Sequence, residues 1–393
     1  MVIQQIQWDI YNMNKQILWS VSKSILKILG SGILVMWLVF WYLSGTFWGF
    51  PRYMFTYYVS SQVFMTPVAK QTLFEGSLKG MVSSLGEPHS QYLDAEDYTS
   101  IMEQTSATYS GVGMVLGMGT DGLEAVSAIE DQPAARAGIE SGDRIIKIND
   151  VDTSTLTIEE ASKRVRGEAG TDVTLVIKRG NEEKTFTITR EKITLPTVKS
   201  KMLTPDVGYI RISQFAENTG NDFGLQYQDL KKQGMKKLII DLRDNPGGLL
   251  TTAQEISDFI LPKGTLVTVQ DRSGKVAEYD SAGIENPIPL VILINKGSAS
   301  ASEIIAGAVQ DRKAGTIVGT NGYGKGTVQT ILPDFGNEAI KITIAKYHTP
   351  NDRVIDGIGI KPDVEIALPD GTRTKGTLED VQVQKAFDIL NQE

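Results

Sequence analysis

The sequence predicts an α/β protein held to a membrane near one end, and three observations point there. From residue 194 onward strand-like and helical runs alternate: GYIRISQF, FGLQYQDLKKQG, KKLIIDLR, LLTTAQEISDFIL and VILIN. That is the pattern of buried strands connected by helices. Residues 54–105 read as helices, with apolar positions at helical spacing in VAKQTLFEGSLKGMVSSL and a stop at Gly86-Glu87-Pro88. Residues 28–50 carry no charge over twenty-three positions.

That uncharged run, ILGSGILVMWLVFWYLSGTFWGF, is long enough to cross a bilayer core of about 30 Å as one helix. Trp37, Trp41, Tyr42 and Trp48 suit the interfacial ends. A cleaved signal peptide would have a shorter apolar core and a small-residue cleavage site, and GTFWGFPRY offers none. The alternative is a buried helix of a soluble protein. Lys15, Lys23 and Lys27 precede the run, while Arg52 and Lys70 follow it. This bias predicts a cytoplasmic segment over residues 1–27 and an extracytoplasmic remainder, a single-pass cell-membrane protein of bacterial type.

The length, 393 residues, allows two or three domains, and the 41% hydrophobic content is that of a globular chain. The absence of cysteine excludes thiol catalysis, disulfides and cysteine-ligated metal. The net charge of −8 is unevenly placed: residues 1–52 carry +3, leaving −11 on the rest, which argues against nucleic acid as a partner.

The chemistry concentrates in residues 297–329, GSASASEIIAGAVQDRKAGTIVGTNGYGKGTVQ. Ser298, Ser300 and Ser302 lie on a turn between an apolar strand (289–295) and a helical pattern (303–312). A serine there is placed to be a nucleophile, and the next amide, that of Ala301, points from a helix N-terminus toward developing negative charge. The base is less obvious. His89 and His348 are the only histidines, and neither has an obvious acid partner at short range. Lys325 lies between glycines and is the sole charge between Lys313 and Asp334. A lysine can act as base when burial disfavours its ammonium form. Gly319 to Lys325 also spells most of a phosphate-binding loop, but Gly326 stands where such a loop needs Ser or Thr, and a β-rich run follows instead of a helix.

SASASE, GYGKGTVQ and DLRDNPGG together resemble the carboxyl-terminal processing (tail-specific) serine proteases. The resemblance implies Ser300 as nucleophile, Lys325 as general base and Gln329 as the side chain that orients the lysine. No metal or cofactor is implied. A straight strand would separate residues four apart by about 13 Å, so Lys325 and Gln329 meet only if the chain bends at Gly324-Lys325-Gly326. Gly247 or Gly248 would supply the second oxyanion amide beside Ala301, though DNPGG is also a good plain turn. Glu303 reads as a first-turn carboxylate favoured by the helix dipole.

The resemblance covers roughly residues 70–370. It implies a crotonase-like spiral core over 194–368, preceded by a PDZ domain over 106–193, whose more specific part is PAARAGIESGDRIIKIND. SSLGEPHSQYLDAEDY resembles the region before that domain, with His89 as a loop hydrogen-bonding residue. YSGVGMVLG resembles a carboxylate-binding loop: Gly111 and Gly113 permit the turn, and the amides of Val112, Gly113 and Met114 receive a peptide terminus. As a dinucleotide loop it fails, because the third glycine arrives one residue late and no helix follows. The helix from Thr157 to Arg166 walls the groove, with Ala161 and Val165 facing the ligand. Arg166 either couples the PDZ domain to the catalytic site or answers the helix dipole. Residues 369–393 form a helical tail, opened by a Thr377/Asp380 capping pattern and a candidate contact in a homodimer.

The expectation is a membrane-anchored serine endopeptidase acting on proteins or peptides with free C-termini. Its rival is a non-catalytic membrane PDZ scaffold, which has no reason to bury a lysine.

Overall fold

A computed structural model describes residues 23, 27, 30–334, 336–369 and 376–392. The expected cytoplasmic segment lies outside these residues except for Lys23 and Lys27. The chain divides into two units, Met1–Gly86 and Glu87–Glu393.

In the first unit the uncharged run does not form one continuous helix. A helix ends at Ser44, and the next leg, Gly49–Val63, turns 102° away from Gly30–Ser44. Among the described residues no single helix is long and apolar enough to cross a membrane. The break has a local cause. Gly45 adopts φ +65°, Gly49 N–H donates to Thr46 O at 3.0 Å, and the Ser44 hydroxyl donates to the same carbonyl at 3.1 Å. Aromatic packing fixes the bend: Trp37 lies 4.4 Å from Phe47 between ring centroids, and Phe40 meets Phe50 and Tyr53. The second leg is α-helical over Gly49–Tyr58 and ends in a π-turn, Val59–Val63; the helix Lys70–Ser83 follows.

The second unit begins with the strand Gln91–Leu93 and the helix Ala95–Ser106, capped by the Asp94 carboxylate at 2.9 Å from Asp97 N. A ribbon of Thr108–Gly111 against Glu191–Thr194 brackets a small β-domain. Its sheet runs Met114–Gly119, Gly122–Ala128, Asp143–Ile148, Asp172–Arg179, Glu182–Thr189 in space, so Met114–Gly119 is an edge strand. Alternate residues Val173, Leu175 and Ile177 fill its core with Leu123, Ile145 and Ile148. The helix Ile158–Val165 is held by a capping box, Glu160 N to Thr157 Oγ1 at 3.2 Å and Thr157 N to Glu160 Oε2 at 2.8 Å.

The larger domain is built on a six-stranded sheet ordered Val198–Met202, Val207–Ile212, Lys237–Asp241, Leu290–Ile294, Thr316–Gly319, Val364–Glu365. Only the first pair is antiparallel. The strands are apolar on both faces, as the sequence requires of a sheet covered twice. Ile210, Ile240, Ile292 and Ile317 pack under the helices Thr219–Lys232, Leu250–Ile260 and Ala301–Asp311. Tyr209, Ile239, Val291, Leu293 and Val318 face the helix Val381–Leu390. The C-terminal tail is thus part of this domain's second layer. Val383, Ala386 and Leu390 are fully buried on this layer. That helix starts later than the Thr377 pattern suggests, with Asp380 as its cap, 3.0 Å from Gln382 N. A second, antiparallel sheet joins Gln91–Leu93, Ala339–His348, Gly264–Asp271 and Val276–Ser281, with Thr327–Pro333 also on Ala339–His348.

Candidate active site

Ser300 caps the helix Ala301–Asp311 in a conformation uncommon for a side chain, φ 54° and ψ −117°. Such strain costs about 1–3 kcal/mol and persists only where surrounding bonds enforce it. Here they do. Ser298 and Ser302 are fully buried and donate their hydroxyls to Leu242 O at 2.8 Å and Asn245 O at 2.9 Å. The Asn295 side chain accepts from Asp244 N and donates to Asp244 Oδ1, both at 2.8 Å. Ser302 is therefore a stitch to the DNPGG loop and Ser298 to the strand end just before it, and Ser300 is the one that lines a cleft of about 570 Å³.

The same cleft is lined by Gly247, Gly248, Ala301, Lys325 and Gln329. Gly247 and Gly248 both have positive φ, at 97° and 145°, and a Cβ on Gly247 would lie 2.8 Å from that of Ser300. Their amides differ. Gly247 N–H donates to Asn245 Oδ1 at 2.9 Å. The N–H groups of Gly248 and Ala301 meet no acceptor among the described residues. Of the two glycines, Gly248 is the one with an amide to offer.

Lys325 sits on the bend expected of its flanking glycines: Gly324 has φ +92° and the strand begins only at Thr327. Its ammonium form is disfavoured first by burial and second by Lys341, while Glu87 opposes both, and the net shift is downward from 10.5. The amine has no hydrogen-bond acceptor among the described residues. Gln329 does not bond to it. Its amide nitrogen donates instead to Thr327 Oγ1 at 2.8 Å and Thr343 Oγ1 at 3.1 Å. No hydrogen bond joins Gln329 to Lys325 among the described residues; both line the cleft, and the two hydroxyls engage only the amide nitrogen.

Glu303 does more than answer a helix dipole. It is fully buried, and one oxygen accepts from Ser300 N at 3.1 Å and Lys325 N at 3.0 Å, while the other accepts from Gly324 N at 2.8 Å. Burial pushes this carboxyl up against the pull of those amides. A single carboxylate therefore joins the serine turn to the lysine loop. The sequence shows the acid beside the serine, but its second set of partners lies 21 and 22 residues away. Tyr347 was missed altogether; its hydroxyl donates to Lys325 O from the neighbouring strand. Contrary to expectation His348 does have a short-range acid partner, Asp352 at 2.6 Å, but it does not line the cleft; His89 donates its backbone N–H to Glu87 at 3.0 Å.

In the small domain a groove runs between the edge strand and the helix Ile158–Val165, lined by Gly111, Val112, Gly113, Met114, Ser162, Val165 and Arg166 among others. Val112 O and Gly113 O accept from Ala134 and Ile129, whereas the N–H groups of Val112 and Gly113 have no acceptor among the described residues. Ala161 does not face the groove. It is fully buried in the domain core, and Ser162 takes its expected place on the wall. Arg166 lies 5.1 Å over the Tyr109 ring and 3.7 Å from Glu103. It also lines a second cavity with Gln104 and Gln214, residues that reach the catalytic cleft.

Comparison with known proteins assigns these parts. Residues 206–366 match peptidase family S41, residues 124–179 match the PDZ domain, and residues 51–97 match the activating protease CtpB N-terminal domain. A carboxy-terminal-processing protease of Bartonella bacilliformis is 40% identical over 78% of this chain and 72% of its own length. A carboxyl-terminal-processing protease of Picosynechococcus is 37% identical, covering 80% of this chain and 78% of the relative. A solved structure from Bacteroides fragilis assigned to the S41 proteases shares the fold, with TM-score 0.53 at 16% identity over 81% of this chain and 90% of that one. The chain belongs to the carboxyl-terminal processing proteases, serine-type peptidases of family S41 that carry a PDZ domain.

Proposed function

We propose that the enzyme grips the free C-terminus of a protein substrate with its PDZ groove and cleaves upstream by a Ser–Lys mechanism. The observation that carries this reading is one cleft holding Ser300, a desolvated Lys325 and the unengaged amides of Ala301 and Gly248. Neutral Lys325 takes the Ser300 proton as the oxygen attacks the scissile carbonyl, and the two amides hold the oxyanion. The lysine ammonium then protonates the departing amine. Water, deprotonated by the same lysine, releases the acyl group and restores the serine. The unengaged amides of Val112 and Gly113 and the edge strand from Met114 suit a terminal carboxylate and an added peptide strand. The parallel sheet with its crossing helices is consistent with a crotonase-like spiral core.

We further propose that the first unit associates with a membrane as a bent pair of helices, leaving the catalytic unit extracytoplasmic. Ile33, Leu34, Val35, Leu38 and Val39 are all exposed on the first leg, an apolar surface suited to lipid. Fractionation with and without residues 1–63 tests this; a full-length chain that stays in the aqueous fraction refutes it.

For the chemistry, Ser300→Ala and Lys325→Ala are compared on a peptide with a free apolar C-terminus. Each variant is expected to fold and to lose turnover, and retained turnover in either sinks the mechanism. Amidating the peptide terminus is expected to weaken cleavage; equal rates remove the PDZ role.

A further inference from the structure

Gln329 has one amide to present to Lys325, and the donor and acceptor chemistry around it determines which end is left. The starting point is Glu87, in the GEPHS turn. Its carboxylate accepts from Ser90 Oγ at 2.6 Å, His89 N at 3.0 Å and Thr343 Oγ1 at 2.8 Å. Burial alone would raise this carboxyl, but the Ser90 and Thr343 hydroxyls and the His89 amide outweigh it and hold it below the usual carboxylate range. It is therefore ionised and accepts only. Thr343 has a single hydroxyl hydrogen, which lies on the line to Glu87, so its lone pairs are what Gln329 meets at 3.1 Å. Only an N–H can bond there. The other N–H goes to Thr327 Oγ1 at 2.8 Å, and the carbonyl Oε1 is the end that remains.

We propose that Glu87 is a positioning residue: through the Thr343 hydroxyl it fixes the Gln329 amide so that its carbonyl oxygen is the end available to Lys325. A carbonyl accepts an N–H of the neutral amine and leaves the amine lone pair for the Ser300 hydroxyl. With the amide reversed, an N–H would compete for that lone pair. Ser90 supports the relay from the other side by accepting from Thr343 N at 3.0 Å. Besides Glu87, the titratable groups around Lys325 are Lys341 in the cleft, Glu303 and Asp356 on the adjoining backbone amides, and the Tyr347 phenol.

This proposal rests on the Ser–Lys reading, so Ser300→Ala and Lys325→Ala serve as blanks. Turnover and its pH profile are measured on the free-terminus peptide for Glu87→Gln, Thr343→Val and Thr343→Ser, with melting temperature as the folding check. Glu87→Gln can donate to Thr343 and reverse the relay. Its kcat is expected to fall about tenfold or more, within the range a general base contributes, with KM changed less than about twofold. Its alkaline activation should also move to lower pH, because an opposing charge that held the proton on Lys325 is gone. Thr343→Val should lose kcat comparably while its activation stays near the wild-type pH, and Thr343→Ser should retain kcat. Wild-type kcat and pH profile in folded Glu87→Gln overturn the proposal. So does a Thr343→Ser variant as poor as Thr343→Val, which would assign the effect to packing; this pair also decides the matter if Glu87→Gln fails to fold. Activity in either blank instead removes the Ser–Lys reading and takes this proposal with it.

Discussion

Ser300 and Lys325 reach one cleft by opposite means. The serine is rigid from every side: its φ is strained, its N–H is bound by Glu303, and its two serine neighbours are tied to Leu242 O and Asn245 O. The lysine is fixed only through its backbone, by Glu303 at the N–H and by Tyr347 at the carbonyl, while its amine has no acceptor among the described residues. The contrast suits the proposed roles. A nucleophile gains from being placed. A base that must lose and regain a proton gains from having no competing partner and little water.

Substitutions can break or sharpen that contrast. The largest effect is expected from Lys325→Ala, a fall in kcat of about a thousandfold or more with little loss of stability, since no bond of the amine is cut. Glu303→Gln strikes both halves together, placing an amide N–H among backbone donors. A loss of about a hundredfold in kcat and about 2–4 kcal/mol in denaturant-measured stability is expected. Equal effects on serine acylation by an active-site probe and on peptide turnover would show that the serine turn moves with the lysine loop. Ser298→Ala removes a hydroxyl that donates to Leu242 O and accepts from Asn295 N, costing about 1–2 kcal/mol while kcat stays within about threefold. The smallest effect runs the other way. Lys325→Met is inactive but is expected to be more stable by about 1 kcal/mol near neutral pH, because a buried ammonium has been removed. The folded enzyme's lysine titrates below its unfolded value, so wild-type stability climbs with pH between the depressed value and about 10.5. The Met variant should lack that slope in chemical denaturation.

Much of this was legible from residue types and spacing. Buried strands, the serine at a strand-to-helix turn and the glycine-flanked lysine follow from local pattern, the groove helix from the family resemblance, and the structure brings Ser300, Lys325, Gly248 and Ala301 into one cleft. What stayed hidden depends on remote partners. DNPGG does not tell that Asn245 engages the first glycine amide, nor does GYGKGTVQ tell that Thr343, itself bonded to Glu87, engages Gln329. Ala161 fits a groove-facing position by helical spacing, but a methyl group that small is covered by the sheet beneath it. An uncharged run of twenty-three residues satisfies a length test, yet one glycine and a cluster of aromatic rings bend it.

The last helix has a consequence for biosynthesis. Arg243, one residue before the DNPGG turn, is fully buried and bound by Asp241 at 2.6 Å and by Asp380 and Gln382 at 2.8 and 2.7 Å. Until Asp380 emerges from the ribosome, that guanidinium lacks one of its two counter-ions and the sheet face behind it is bare. The Asp380 contact thus ties the start of the helix Val381–Leu390 to the residue that precedes the loop carrying Gly248.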